Sequence, residues 1–163
     1  EYWDSSDIPW IKTGEIKNNI IVSAEEYISE LGYKKSSTHL LPKNTVLMAL
    51  YGATASQLSI LKFPATTNQA CCGMQCYTEQ DTAYLYYRLL NEQEEIKNMA
   101  IGGAQANLSK ALIEKFHILE PEVDSSLKFI FKVLIDNKTV AKKREVTLHQ
   151  LRELLLYRMT NLD

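Results

Sequence analysis

The sequence predicts an α+β fold, a mostly β body with short helices over residues 1–124 and one long helix over residues 125–163. Three observations predict it. Short apolar runs rich in β-branched and aromatic residues, bounded by Pro, Gly and Asn, recur as far as residue 77. From Thr82 the apolar spacing changes to that of an amphipathic helix. From Ser125 onward there is neither Gly nor Pro, and an apolar residue returns every seven positions.

In order, strands are expected at "IPWIKT", "NIIVSA", "NTVLMAL", "QLSILKF" and "CCGMQCY", because such residues fit a pleated, half-buried surface. The next helix places Leu85, Leu89, Ile96 and Ala100 on one face, with Asp81 as its N-cap and Gly102-Gly103 as its stop. A short helix near Ser109 turns Leu112, Ile113 and Phe116 inward, and "FHILEP" returns as a strand closed by Pro121. The last helix carries the row Leu127, Leu134, Ala141, Leu148, Leu155 and Leu162. A second row, Ile130, Asn137, Arg144, Leu151 and Arg158, is mixed, which makes a broken heptad in which Asn137 can fix register. At about 55 Å the helix is too long to bury its stripe on its own domain, so a partner helix is expected. The alternative is that it lies across its own domain, with Lys142, Lys143, Arg144 and Glu145 as a wet mid-section.

A chain of 163 residues, 45% hydrophobic, suffices for one core. No run is long and apolar enough for a membrane helix and no signal peptide opens the chain, so a soluble, cytoplasmic protein is expected. Cys71, Cys72 and Cys76 match no zinc spacing and are read as buried free thiols; Trp3 and Trp10 are read as core. The net charge of −2 argues against a protein that coats nucleic acid, but it is unevenly spread, −6 over residues 1–124 and +4 over residues 125–163. A polyanion would meet the segment around Lys12, Lys34, Lys35 and Lys62 rather than the acidic run from Glu79 to Glu95.

Catalytic templates fail. His39, His117 and His149 have no metal-ligand spacing, and the phosphate-loop, dinucleotide and nucleophile-elbow patterns are absent. Asp81 with Glu95-Ile96-Lys97 has the composition of a Mg-dependent nuclease triplet, but Glu95 and Lys97 fall on different sides of a helical stripe. No tetrapeptide for base amino methylation and no Pro-Cys pair occurs. No catalytic residue, metal or cofactor is therefore assigned to this chain.

Taken in order, "YWDSSDIPWIKTGEI", "LPKNTVLMALYGAT", "TTNQACCGM", "YLYYRLL" and "GGAQANLSKALIEKFHILEP" resemble the target recognition domain of specificity subunits from type I restriction-modification systems. The resemblance covers residues 2–121 and continues into the long helix that follows such domains. It implies a recognition domain over residues 1–124 and a helix over 125–163 for dimerisation and spacing. Gln105, Asn107 and Ser109 would then sit at a helix N-terminus, where N–H groups favour a phosphate and amides can pair with adenine. Asn107 or Ser109 as a plain helix cap is the other reading. Lys12, Thr13, Lys34, Lys35, Ser36 and Ser37 offer cations and hydroxyls to the DNA backbone, and Tyr51, Gly52 and Thr54 approach a base edge. For each of these a solvated loop is the alternative. The sequence departs from the family where Ser56 stands in place of a second glycine after "GAT", and where the segment before Tyr2 is absent.

The resemblance implies a DNA-recognition subunit without catalysis. Its partners would be double-stranded DNA, a modification subunit that methylates adenine with S-adenosylmethionine, and a restriction subunit that uses ATP and Mg. Only one recognition domain and one helix are present, so a half-length subunit or fragment that self-associates is expected. The helices would pair antiparallel through Leu127, Ile130, Leu134, Asn137, Ala141, Leu148, Leu151, Leu155 and Leu162, and two copies would read a split palindrome. The rivals are a helical scaffold that does not touch DNA and the Mg-dependent nuclease.

Overall fold

The computed structural model describes residues 2–3, 5–99, 108–115 and 125–161. The predicted strand at 116–121, the Gly102-Gly103 stop and Ala100 lie outside the described residues. Among the described residues seven strands form, β1 (Ile8–Ile11), β2 (Asn19–Ile21), β3 (Glu26–Ile28), β4 (Val46–Ala49), β5 (Leu58–Leu61), β6 (Thr66–Thr67) and β7 (Cys71–Met74). With them are the helices α1 (Glu30–Lys35), α2 (Glu79–Asn91), α3 (Gln93–Asn98), α4 (Lys110–Lys115) and α5 (Ser125–Thr160). The fold is α+β, as the sequence predicts.

Two mixed sheets carry the strands, a small one in the order β3-β1-β6 and a larger one in the order β2-β5-β4-β7. β1 runs antiparallel to β3 and parallel to β6; β5 runs parallel to β2, and β4 antiparallel to β5 and β7. β4 and β5 are buried at every position, so both faces of the larger sheet are covered. Alternation divides them. Val46, Met48, Leu58 and Ile60 meet Tyr86, Leu89, Ile96 and Leu108, while Leu47, Ala49 and Leu61 meet Ile11, Ile16 and Ala65. The larger sheet is thus a middle layer between the helices and the small sheet.

Several elements differ from expectation for local reasons. The first long helix starts at Glu79 because Thr78, not Asp81, is its N-cap; Thr78 Oγ1 accepts from the Asp81 N–H at 3.0 Å. It stops at Glu92 and resumes as α3. The first strand ends at Ile11, and Thr13–Glu15 form a 3-10 turn. β7 ends at Met74, short of Tyr77. Lys34 and Lys35, for which a solvated loop is the alternative reading, form the last turn of α1. Trp3 is not core: it is 54% exposed and meets half-buried Trp10 edge to face, with ring centroids 5.3 Å apart. The cysteines are not joined in a disulfide among the described residues, Cys72 buried and Cys71 and Cys76 half-buried; burial pushes the Cys71 thiol up to about 12.

α5 docks by one face of its first half. Ile135 is its one buried residue among those described, and Phe131 stacks on Tyr87 of α2 with centroids 5.0 Å apart. Lys128 pairs with Asp81 at 2.9 Å and Lys132 with Glu79 at 3.6 Å. Leu127, Ile130, Leu134, Asn137, Ala141, Leu148, Leu151 and Leu155 are all exposed, and Leu162 lies outside the described residues. The predicted heptad row therefore faces away from the domain, and the helix lies across its own domain only in its first half. No helix of the described residues is long and apolar enough to cross a membrane.

Candidate nucleic-acid interface

The site residues come from segments far apart in sequence that strand register brings to one end of the two sheets. β1 and β6 are parallel with Ile11 opposite Thr67, so Lys12 leaves the small sheet beside Asn68. Asn68, Gln69 and Ala70 then turn the chain into β7, whose Cys71 lies opposite Ala49 at the end of β4. The Leu50 N–H donates to the Ala70 carbonyl at 2.8 Å, and the Leu108 N–H donates to the Leu50 carbonyl at 2.8 Å. Tyr51, Gln69 and Ser109 therefore follow from three neighbouring backbones. The Thr38 hydroxyl donates to the Thr67 carbonyl at 2.8 Å, which ties the chain after α1 to the same end.

The candidates differ in what they still have to offer. Lys12 Nζ donates to Glu26 Oε1 at 2.8 Å and lies 3.6 Å from Glu25 Oε2, and the Glu26 bond raises its pKa. Its charge is locally compensated. Thr13 is half-buried in the 3-10 turn. Lys34 is exposed but pairs with Glu30 at 3.0 Å, one turn back on α1. Exposed Lys35 has no acidic partner among the described residues, and Ser36 and Ser37 are exposed beside it. The Ser36 hydroxyl donates to the Tyr33 carbonyl at 3.1 Å.

Tyr51 is 44% exposed and precedes Gly52, whose φ of 71° is the left-handed region that glycine enters at no steric cost. Thr54 is half-buried and its hydroxyl donates to the Tyr51 carbonyl at 3.4 Å. Ser109 is exposed, and its Oγ accepts from the Leu112 N–H at 3.2 Å, which places it at the cap of α4. Gln105 and Asn107 lie outside the described residues.

Two residues of this end were missed. Ser36, Ser37 and His39 line a groove of about 380 Å³ together with Asn68 and Gln69. Asn68 is spent internally, its Oδ1 accepting from the Ala70 N–H at 3.1 Å and from the Cys71 thiol at 3.4 Å. Gln69, at the tip of that turn, is exposed. "TTNQA" carried a signal for them, two amides in a short turn, but nothing in the sequence says which amide is spent.

The catalytic constellation does not assemble. The Asp81 carboxylate is engaged by Thr78 and Lys128, which hold its pKa below the ordinary range, while Glu95 and Lys97 lie on α3. No group of three or more His, Cys, Asp or Glu among the described residues is placed to hold a metal. His149 sits on α5 against Arg152, and His117 lies outside the described residues.

Comparison with known proteins supplies the family. The chain is 25% identical over 160 residues to the type I restriction enzyme EcoR124I/EcoR124II specificity subunit of Escherichia coli, covering 92% of this chain and 40% of that protein. It thus spans less than half the length of that curated relative. Two solved structures are similar at low identity. One, the S subunit of a type I restriction-modification system from M. genitalium, has a TM-score of 0.45 and 16% identity, covering 68% of this chain and 26% of that one. The other, from work on complex assembly and conformational transition of the type I R-M system, has a TM-score of 0.49 and 9% identity, covering 95% and 38%. Residues 1–148 match the type I restriction modification DNA specificity domain, and the chain belongs to that family.

Proposed function

We propose that this chain is the sequence-reading part of a type I restriction-modification complex. It holds a double-stranded DNA half-site and directs adenine methylation and cleavage by partner subunits. Catalysis resides in those partners, a modification subunit using S-adenosylmethionine and a restriction subunit using ATP and Mg. The observation that carries the reading is convergence. Lys35 to Ser37, Tyr51 to Thr54 and Ser109, scattered over some seventy residues, lie towards one end of the two sheets, whose central strands β4 and β5 are buried. Among the described residues, the hydroxyls and the Lys35 cation there suit phosphate contacts, which set register, while base edges carry the sequence information.

A randomised-duplex selection with this chain and its modification subunit, at fixed moderate salt, tests the reading. A split motif is expected to be enriched, and lost for Gln105→Ala or Asn107→Ala. If a folded protein enriches no sequence, the reading fails. The exposed outer half of α5 favours a second reading, a scaffold that dimerises without touching DNA, and unchanged DNA mobility at low salt would support it.

A further inference from the structure

The family match names no residue of this chain that reads a base. A base-reading side chain must be exposed at the DNA-facing end, have its polar atoms unspent and be held on a rigid support. Most polar side chains at this end fail one of these. Lys12 is compensated by Glu26, Asn68 closes its own turn, Thr38 is bonded to Thr67, and Ser109 caps α4. Gln69 meets all three. It is exposed, and its amide makes no hydrogen bond to any described residue. Its turn is fixed on one side by Asn68 and on the other by the 2.8 Å bond from Leu50 to Ala70.

The chemistry narrows what Gln69 can read. A carboxamide offers one donor and one acceptor side by side, the pattern that matches N6 and N7 of adenine in the major groove. The side chain that most often reads guanine is arginine, and all four arginines of the chain, Arg88, Arg144, Arg152 and Arg158, lie in α2 and α5. We infer that Gln69, at the tip of the β6–β7 turn, is a specificity-determining residue that pairs with an adenine edge. This inference rests on the DNA-reading function proposed above.

The test is the same selection, run at fixed salt with the full chain and its modification subunit, comparing the wild type, Gln69→Ala, Gln69→Glu and Lys35→Ala. Gln69→Ala should keep its thermal midpoint and its salt slope on random duplex, yet lose discrimination at one A·T pair by about 5- to 150-fold. Gln69→Glu should move the preference at that position towards cytosine, whose amino group a carboxylate accepts. Lys35→Ala, a backbone contact, should weaken all sequences alike and lower the salt slope by about one. If the wild type enriches a motif and Gln69→Ala enriches the same one, the inference fails while the DNA-reading function stands. A uniform loss with a reduced slope would make Gln69 a phosphate contact and also overturn it. If the wild type enriches nothing, both fall.

Discussion

Asn18 shows how single residues hold the end of the larger sheet that carries Tyr51 in place. Its φ of 54° lies in the left-handed region, which Asn tolerates better than most side chains. There its Oδ1 accepts from the Leu58 N–H at 2.9 Å, and its amide exchanges two 3.0 Å bonds with Gln93 of α3. Gln93 Nε2 also donates to the Ser56 carbonyl at 2.7 Å, so one amide pair joins the start of β2, the start of β5 and the helical layer. Ser56 itself, where the family resemblance leads one to expect glycine, has a φ of 71°, so the loop keeps the left-handed turn without the residue that favours it. Asn18→Ala leaves the Leu58 N–H unpaired and adds backbone strain, and should cost about 2–3 kcal/mol in urea unfolding. Asn18→Gly loses the same bonds but not the backbone freedom, and should cost about 1 kcal/mol less. Equal losses for the two would show that the conformation contributes nothing.

Among elements, the contact between α2 and α5 sets where the long helix points. Phe131 and Ile135 supply its apolar part, and Lys128 supplies an ion pair with Asp81 and lies 5.5 Å over the Tyr84 ring. The bond from Thr78, then that from Lys128, holds the Asp81 carboxyl below its ordinary value of 3.8. A depressed carboxylate stabilises the fold fully above its unfolded pKa, and that stability is lost as pH falls through the folded pKa. Asp81→Asn should therefore be less stable than wild type by about 0.5–1 kcal/mol at pH 7, a discounted figure for a partly exposed pair. The gap should close in urea titrations below pH 3.8. A gap that does not change with pH would remove the ion pair from the contact. This contact also marks the limit of what the sequence made legible. The apolar runs of β4 and β5 and the stripe of Leu89 and Ile96 read correctly, because burial on two faces or one leaves a periodic trace. β3 and α1 left none. β3 opens on Glu26, and α1 contains Gly32, where an added Cβ would stand 3.2 Å from the Tyr2 carbonyl oxygen, so packing rather than propensity placed both. At the candidate site, Lys35 to Ser37 and Tyr51 could be singled out by residue type, while Gln69 could not, since only tertiary bonding separates an unengaged amide from one that closes a turn.

For the whole molecule, the question is what covers the far half of α5. Leu148, Leu151 and Leu155 are 65%, 49% and 51% exposed, and they continue the exposed row of Leu127, Ile130 and Leu134, which starts on the flank of Ile135 and drifts away from it along the helix. A solvated helix has no reason to keep one apolar row over its whole length. A second copy is the occupant that the row itself favours, because an antiparallel pair places Leu127 near Leu155 and Leu134 near Leu148, with Ala141 close to the centre. The same geometry brings Arg144 of one copy within roughly 9 Å, along the helix axis, of Arg144 of the other, a like-charge contact near the middle of the seam. Such repulsion weakens as salt shortens the screening length. The dimer is therefore expected to tighten as salt rises, the opposite of DNA binding, where salt displaces the protein. Light scattering at protein concentrations on the order of tens of micromolar should show a dimer whose dissociation falls between about 0.05 and 0.5 M salt. Leu148→Glu with Leu155→Glu should give a monomer with an unchanged domain melt, because both side chains are exposed in the single chain. A monomeric wild type at every salt concentration would sink the pairing, and with it the split palindrome that two recognition domains held at a helix-set distance would read.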